Sequence, residues 1–204
     1  SNSIAVIILT LNEEIHIERC IRSAKAVTDE IIVVDSFSTD HTCEKARELG
    51  AVVYQHQFVN YAKQFNWALA NCEIKAQWIG RLDADEYIED PLAEKALQTL
   101  QTISEDVNGI FVNKKIVFMG KPLLHGGWYP VQLLKIIRKG FGSCEDKWMD
   151  EHLVIFSGKT ISIDADQTDD NLKDLTEWSH KHVNYAMREA IDALLTEYNL
   201  LHSK

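Results

Sequence analysis

The stretch "QWIGRLDADEYIEDP", residues 77–91, runs from apolar residues into five acids, with Asp83 and Asp85 one residue apart and Glu86, Glu89 and Asp90 close behind. On a strand that continues past Leu82, residues i and i+2 share a side, so both carboxylates can reach one cation. Hard oxygen donors select Mg2+ or Mn2+, which retain water and phosphate oxygens as further ligands. A lone D-x-D pair is common in solvated loops, so its meaning depends on what meets it. Two other segments carry polar groups at the ends of apolar runs: "IILTLNEE" with Thr10, Asn12 and Glu13, and "VVDSFSTDHT" with Asp35 and Asp40. Further along, "CEDKWMDEHLVIF" gathers Asp146, Asp150, Glu151 and His152 just before a strand pattern.

Such groups act together only if strand ends converge. The first half alternates short apolar runs with amphipathic segments, the pattern of a parallel α/β sheet whose ligands gather at the carboxyl ends of the strands. Strands are expected at Ile4 to Leu9, Ile31 to Val34, Ala51 to Tyr54 and Trp78 to Leu82. Between them, Asn12 can cap a helix carrying Ile17, Cys20, Ile21 and Ala24 on one face, and Ser38, Thr39 or Asp40 can cap a second that ends near Gly50. Tyr61 to Asn71 reads as a third helix, and Pro91 opens a fourth that runs to about Ile103. From Asn108 the pattern turns to short strands: Ile110 to Val112, Ile116 to Phe118, Leu133 to Ile137, Leu153 to Phe156 and Ile161 to Ile163. A last helix from about Leu175 to Leu200 carries a Trp178, His182, Tyr185 stripe at packing spacing. We expect one domain, with residues 1–107 as one half and 108–204 as the other.

Composition narrows the function classes. Twenty-one basic against thirty-one acidic side chains give a net charge of −10, which argues against a nucleic-acid backbone or an anionic lipid surface as the main partner. Cys20, Cys43, Cys72 and Cys144 are scattered, without the spacing of a zinc site or a disulfide framework. The opening "SNSIAVIILTLNEE" lacks a secretory signal, and no run of 18 apolar residues occurs, so a soluble, cytoplasmic protein is expected.

Taken in order, "IILTLNEE", "VVDSFSTDHT", "KQFNWALANC", "RLDADEYIEDPL", "GKPLLHGGWYP" and "MDEHL" resemble the inverting family 2 glycosyltransferases of the GT-A fold, over essentially the whole chain. Within that family the chain looks most like the bacterial branch of lipopolysaccharide-core β-glucosyltransferases. The resemblance implies a mostly parallel central sheet flanked by helices, with a smaller mixed sheet on the acceptor side. It implies a nucleotide-diphosphate donor, UDP-linked, and a hydroxyl acceptor on a bacterial surface glycan or lipid-linked saccharide. Thr10 and Asp35 would contact the base, with Asn12 and Glu13 beside them and Lys63 as a basic contact to the donor. Asp83 would lie near ribose and metal, Asp85 would coordinate Mn2+ or Mg2+, and His152 is a further metal candidate. Glu151 best matches the proton acceptor, with Asp150 as runner-up. Trp128 and Tyr129 offer flat surfaces on which the apolar C–H faces of an acceptor sugar can lie.

Departures from the family pattern leave a second reading open, a scaffold that binds nucleotide or a partner without turnover. Phe65 stands before Asn66 where many relatives carry Arg. Lys135 stands in a strand where relatives often carry Arg, and lacks its bidentate fork. Asp169 and Asp170 stand where some relatives place a metal-ligating His. Relatives often continue past "LLHSK" with a basic or amphipathic tail, which would bring peripheral association with the inner face of the membrane.

Overall fold

The computed structural model describes residues 2–147 and 151–198. Strand β1 (Ile4–Thr10) is buried along its whole length, which is why its sequence is apolar without alternation. Its Ala5, Ile7 and Leu9 pack on one side of the sheet against Ala62, Phe65 and Ala68. On the other side Val6 and Ile8 meet Ile17, Cys20, Ile21 and Ala24 of helix α1 (Ile17–Ala24). Strand β2 (Ile31–Asp35) divides in the same way, Ile32 and Val34 to one layer and Ile31 and Val33 to the other.

Helix α2 (Thr42–Glu48) follows β2, its first turn tied down by Asp40, whose Oδ1 accepts the Thr42 amide at 3.0 Å. Strand β3 (Val52–Gln55) and helix α3 (Tyr61–Asn71) come next; the Asn60 side chain caps α3 by accepting the Lys63 amide at 2.7 Å. Asn12 does not cap α1, whose first residue lies well downstream. It sits at φ 54°, its amide donating to Ser38 Oγ and its Oδ1 accepting the Thr39 amide, each at 2.8 Å. A short amide side chain tolerates the left-handed conformation, and here it laces the loop after β1 to the loop after β2.

Strand β4 (Trp78–Asp83) stops at the first carboxylate, and Ala84 and Asp85 form a turn into β5 (Glu86–Ile88). Helix α4 (Asp90–Thr102) follows, with Pro91 in its first turn, and covers the second half of the sheet through Leu92, Ala96 and Leu100. Two strands expected separately form one, β6 (Val107–Phe118). The polar residues between them stay in register because each finds a partner: Asn113 donates to Asp164, Lys114 pairs with Asp169, and Lys115 pairs with Glu89 and Asp166. Met119 and Gly120, both at positive φ, turn β6 into β7 (Lys121–Pro122), as a two-residue hairpin requires.

Strands β8 (Val131–Arg138), β9 (Gly142–Cys144), β10 (Leu153–Ile155) and β11 (Lys159–Asp170) complete the sheets, and α5 (Leu175–Glu197) ends the described chain. The large sheet runs β3-β2-β1-β4-β8-β6-β11-β5, with β7 on β6, while β9 and β10 form a separate antiparallel pair. Strands β1 to β4 run parallel; β8 enters antiparallel to both β4 and β6. The second half therefore extends the first-half sheet and shares its core. None of the described helices is long and apolar enough to cross a membrane.

Candidate functional site

The register of the parallel strands brings three polar residues to one edge of the sheet, Thr10 opposite Asp35 and, one residue back along β1, Leu9 opposite Asp83. Above this edge opens a cavity of about 1380 Å³ lined by residues from both halves of the chain. Single small-molecule pockets span roughly 300–1,000 Å³, so there is room for two substrates side by side. Thr10, Glu13, Asp83, Asp85, Glu151 and His152 all line it, as does the exposed Trp128.

The two carboxylates reach this space through the turn at Ala84 and Asp85, not along a continuing strand. Asp83 Oδ1 lies 3.4 Å from Arg81 Nε, and Asp83 Oδ2 lies 4.0 Å from Lys135 Nζ. Asp85 Oδ2 accepts a 3.3 Å hydrogen bond from Asn171 Nδ2, and its carbonyl accepts from the Asp170 amide at 3.0 Å. Glu151, nearly buried, accepts from Arg81 Nη2 at 3.1 Å. Arg81 therefore links Asp83 to Glu151. Burial would lower its guanidinium, but the charges of Asp83 and Glu151 outweigh that and hold it above its ordinary value.

Glu13 accepts from Lys173 Nζ at 2.9 Å and contacts His16 Nδ1 at 2.5 Å. His16 is fully buried, and its Nε2 accepts the Leu172 amide at 2.8 Å. The segment after β11 is thus bound to the loop after β1. Asp169 and Asp170 are both engaged, with Lys114 at 2.9 Å and Arg19 at 2.6 Å. Among the described residues no group of three or more His, Cys, Asp or Glu side chains is arranged to hold a metal ion. Two carboxylates on one cavity are still the donor set that Mg2+ or Mn2+ uses when substrate phosphates complete its shell, and Asp83 and Asp85 fit that description.

Four sequence-expected residues lie off the cavity lining. Asn12 and the Lys63 side chain are exposed, and Tyr129 donates its hydroxyl to Asp166 Oδ1 at 3.0 Å. Asp35 is fully buried beneath Thr10, which donates its hydroxyl to Asp35 Oδ1 at 2.9 Å. Burial pushes the Asp35 carboxyl up, but hydrogen bonds from the Ser38 hydroxyl and amide, the Cys43 thiol and the Thr10 hydroxyl prevail and hold it below its ordinary value of 3.8. A depressed carboxyl stabilises the fold fully above the unfolded-state value, and this is lost as pH falls through the folded one. Asp35→Asn is therefore expected to cost about 1–3 kcal/mol in urea unfolding at neutral pH, a difference that shrinks below pH 3.8. A constant difference across that range would rule the carboxylate out as its source. Asp150 lies outside the described residues.

Several cavity residues were not singled out from sequence. Arg81 had a signal, since it stands two before Asp83 on β4 and so shares its side of the strand. Tyr185 and Arg188 also line the cavity, although the helix they belong to read as a packing face. The side chains of Trp178 and His182 are outside the described residues, and Val183, Met187 and Ile191 remain exposed.

Comparison with known proteins agrees with this architecture. The profile of the glycosyl transferase family 2 domain matches residues 5–159. An uncharacterized glycosyltransferase of Rickettsia typhi is 40% identical over 92 residues, 45% of this chain and 31% of that protein. The lipopolysaccharide core biosynthesis glycosyltransferase LpsC of Rhizobium meliloti is 29% identical over 144 residues, 68% of this chain and 52% of that protein. The chain thus spans about a third to a half of the length of these curated relatives. Among solved structures, the mannosyltransferase PcManGT from Pyrobaculum calidifontis, in complex with GDP-Man and Mn2+, aligns at TM-score 0.60 and 16% identity, covering 94% of this chain and 64% of its own. S. aureus TarS 1-349 in complex with UDP-GlcNAc aligns at TM-score 0.52 and 22% identity, covering 67% and 45%. At these identities the likeness is one of fold, the GT-A fold.

Proposed function

The chain belongs to glycosyl transferase family 2, and from that premise we propose that it transfers a hexose from a UDP-linked donor to a hydroxyl of a bacterial surface-glycan or lipid-linked acceptor, with inversion, on the cytoplasmic side of the membrane. The observation that carries this reading is the meeting of Thr10, Asp83, Asp85 and Glu151 on one cavity at the carboxyl edge of a parallel sheet. LpsC acts in lipopolysaccharide core biosynthesis by its name, and the TarS complex holds a UDP-sugar; both support the donor and acceptor classes.

In this reading Thr10 and Glu13 border the nucleoside, with Asp35 beneath Thr10 fixing its hydroxyl. Asp83 and Asp85 would hold a divalent cation, which when bound would stabilise negative charge on the departing diphosphate. Glu151, oriented by Arg81, accepts the proton of the acceptor hydroxyl. The acceptor oxygen forms its bond to the anomeric carbon as the bond to the diphosphate breaks, from the opposite face, which inverts that centre. Phe118, Met119, Trp128 and Leu175 at the cavity give the apolar surface on which an acceptor sugar can lie.

Titrating UDP into the chain with and without Mn2+ tests the donor site, and the expected result is tighter binding with the metal present. Metal-independent or absent UDP binding by folded protein would end the assignment. The ion pair that engages Glu151 favours the second reading, a nucleotide-binding scaffold without turnover. A donor-hydrolysis assay separates the two, since a scaffold releases no sugar.

A further inference from the structure

Glu86 lies three residues beyond Asp83, only 1% exposed, and it does not line the cavity. Its carboxylate nevertheless collects four hydrogen bonds. Lys135 Nζ donates to both oxygens at 2.9 Å. Gln167 Nε2 and the Asp83 backbone amide donate to Oε2 at 2.6 and 2.9 Å. Only an ionised carboxylate accepts from so many donors at once; a glutamine must turn its own NH2 toward one of them.

The consequence concerns Lys135, which β8 delivers to the cavity floor. Its ammonium lies 4.0 Å from Asp83 Oδ2, at the outer limit of an ion pair, while both Glu86 oxygens are closer. A lysine is a mobile point charge on a flexible stem. Released from Glu86, it would move onto Asp83, and an ammonium on that carboxylate competes with a divalent cation for the same oxygen.

Resting on the reading of Asp83 as a ligand to the donor's cation, we propose that Glu86 is a positioning residue. It restrains Lys135 from pairing with Asp83, and through the Asp83 amide it fixes the peptide from which that carboxylate projects.

The test compares the wild-type chain, Glu86→Gln, and the double variant Glu86→Gln/Lys135→Met by calorimetric titration of UDP at saturating Mn2+, with melting temperature as the folding control. Glu86→Gln is expected to weaken Mn2+-dependent UDP binding roughly 10- to 100-fold, the usual effect of losing a partner that orients a metal ligand. The double variant, which lacks the released ammonium, is expected to recover wild-type affinity. A merely structural role predicts no such recovery. Wild-type affinity in Glu86→Gln, or a double variant as weak as the single one, would overturn the proposal. The double variant decides the matter even where Glu86→Gln does not fold, because recovery supports restraint of Lys135 and weak binding refutes it. Loss of Mn2+-dependent binding in the wild type itself would instead strike the donor-site reading, and this inference with it.

Discussion

Glu151→Gln is expected to lower hexose transfer and slow donor hydrolysis roughly 10²–10⁴-fold, the range that a positioned general base supplies, while leaving UDP affinity unchanged. The side chain lines the cavity from the loop before β10, with one carboxylate oxygen 3.1 Å from Arg81 Nη2. Glutamine keeps that volume, and its carbonyl oxygen can still accept from Arg81, so the cavity wall is preserved. What it cannot do is take a proton. The loss should therefore fall on kcat and not on donor binding, a split read by steady-state transfer kinetics beside UDP titration. Hydrolysis of the UDP-sugar at the wild-type rate would remove Glu151 from the role of base, and Asp150→Asn would be the next variant to assay.

Arg81 is a less discriminating target. Its guanidinium sits between Asp83 at 3.4 Å and Glu151 at 3.1 Å, and it also donates to Cys144 Sγ at 3.6 Å. Replacing it leaves Glu151 without its buried partner and Asp83 with the more distant Lys135, so the damage would reach both carboxylates together. Glu151 isolates the acceptor side.

The parallel half of the fold was legible because its signals are local and redundant. An unbroken run such as Ile4 to Leu9, followed by apolar residues at helical spacing, admits few alternatives, and β1 to β4 lie where the pattern put them. The second half was less legible because its strands are long and partly polar. In "IDADQTDD" Ile163, Ala165 and Gln167 alternate inward, Thr168 breaks the alternation by being buried too, and the acids hold the strand through partners far away in sequence, Asp166 to Lys115 and Asp169 to Lys114. Nothing within a window of ten residues reveals those pairs.

The site divides along the same line. Thr10, Asp83 and Asp85 follow from the rule that ligands gather at strand ends. The work of Glu86 and Lys135 does not, because their contact joins β5 to β8 across the sheet. Likewise, Asn12 looked like a helix cap by type, yet its φ of 54° and its bonds to Ser38 and Thr39 make it a loop clasp. A side-chain type fixes what bonds are possible, and tertiary placement decides which are made.

Asp85→Asn is expected to abolish the Mn2+-dependent part of UDP binding and to lower kcat/KM for transfer roughly 10²–10³-fold, the scale on which one electrostatic stabiliser of a departing anion is worth. The backbone at this turn should survive the change. Its tertiary ties run through the Asp85 carbonyl, which accepts from Arg19 Nη2 at 3.2 Å and from the Asp170 amide at 3.0 Å, and asparagine retains that carbonyl. Oδ1 of the new amide can accept the bond that Asn171 now gives to Oδ2 at 3.3 Å. Only the charge is lost. Titrating UDP over a range of Mn2+ concentrations separates this from misfolding, since a folded variant should bind UDP equally with and without metal. Retention of the metal-dependent gain would exclude Asp85 as a ligand. Asp83 makes a poorer probe, because neutralising it strands Arg81 and Lys135 beside an uncharged amide and mixes loss of a ligand with rearrangement of the two cations beneath it.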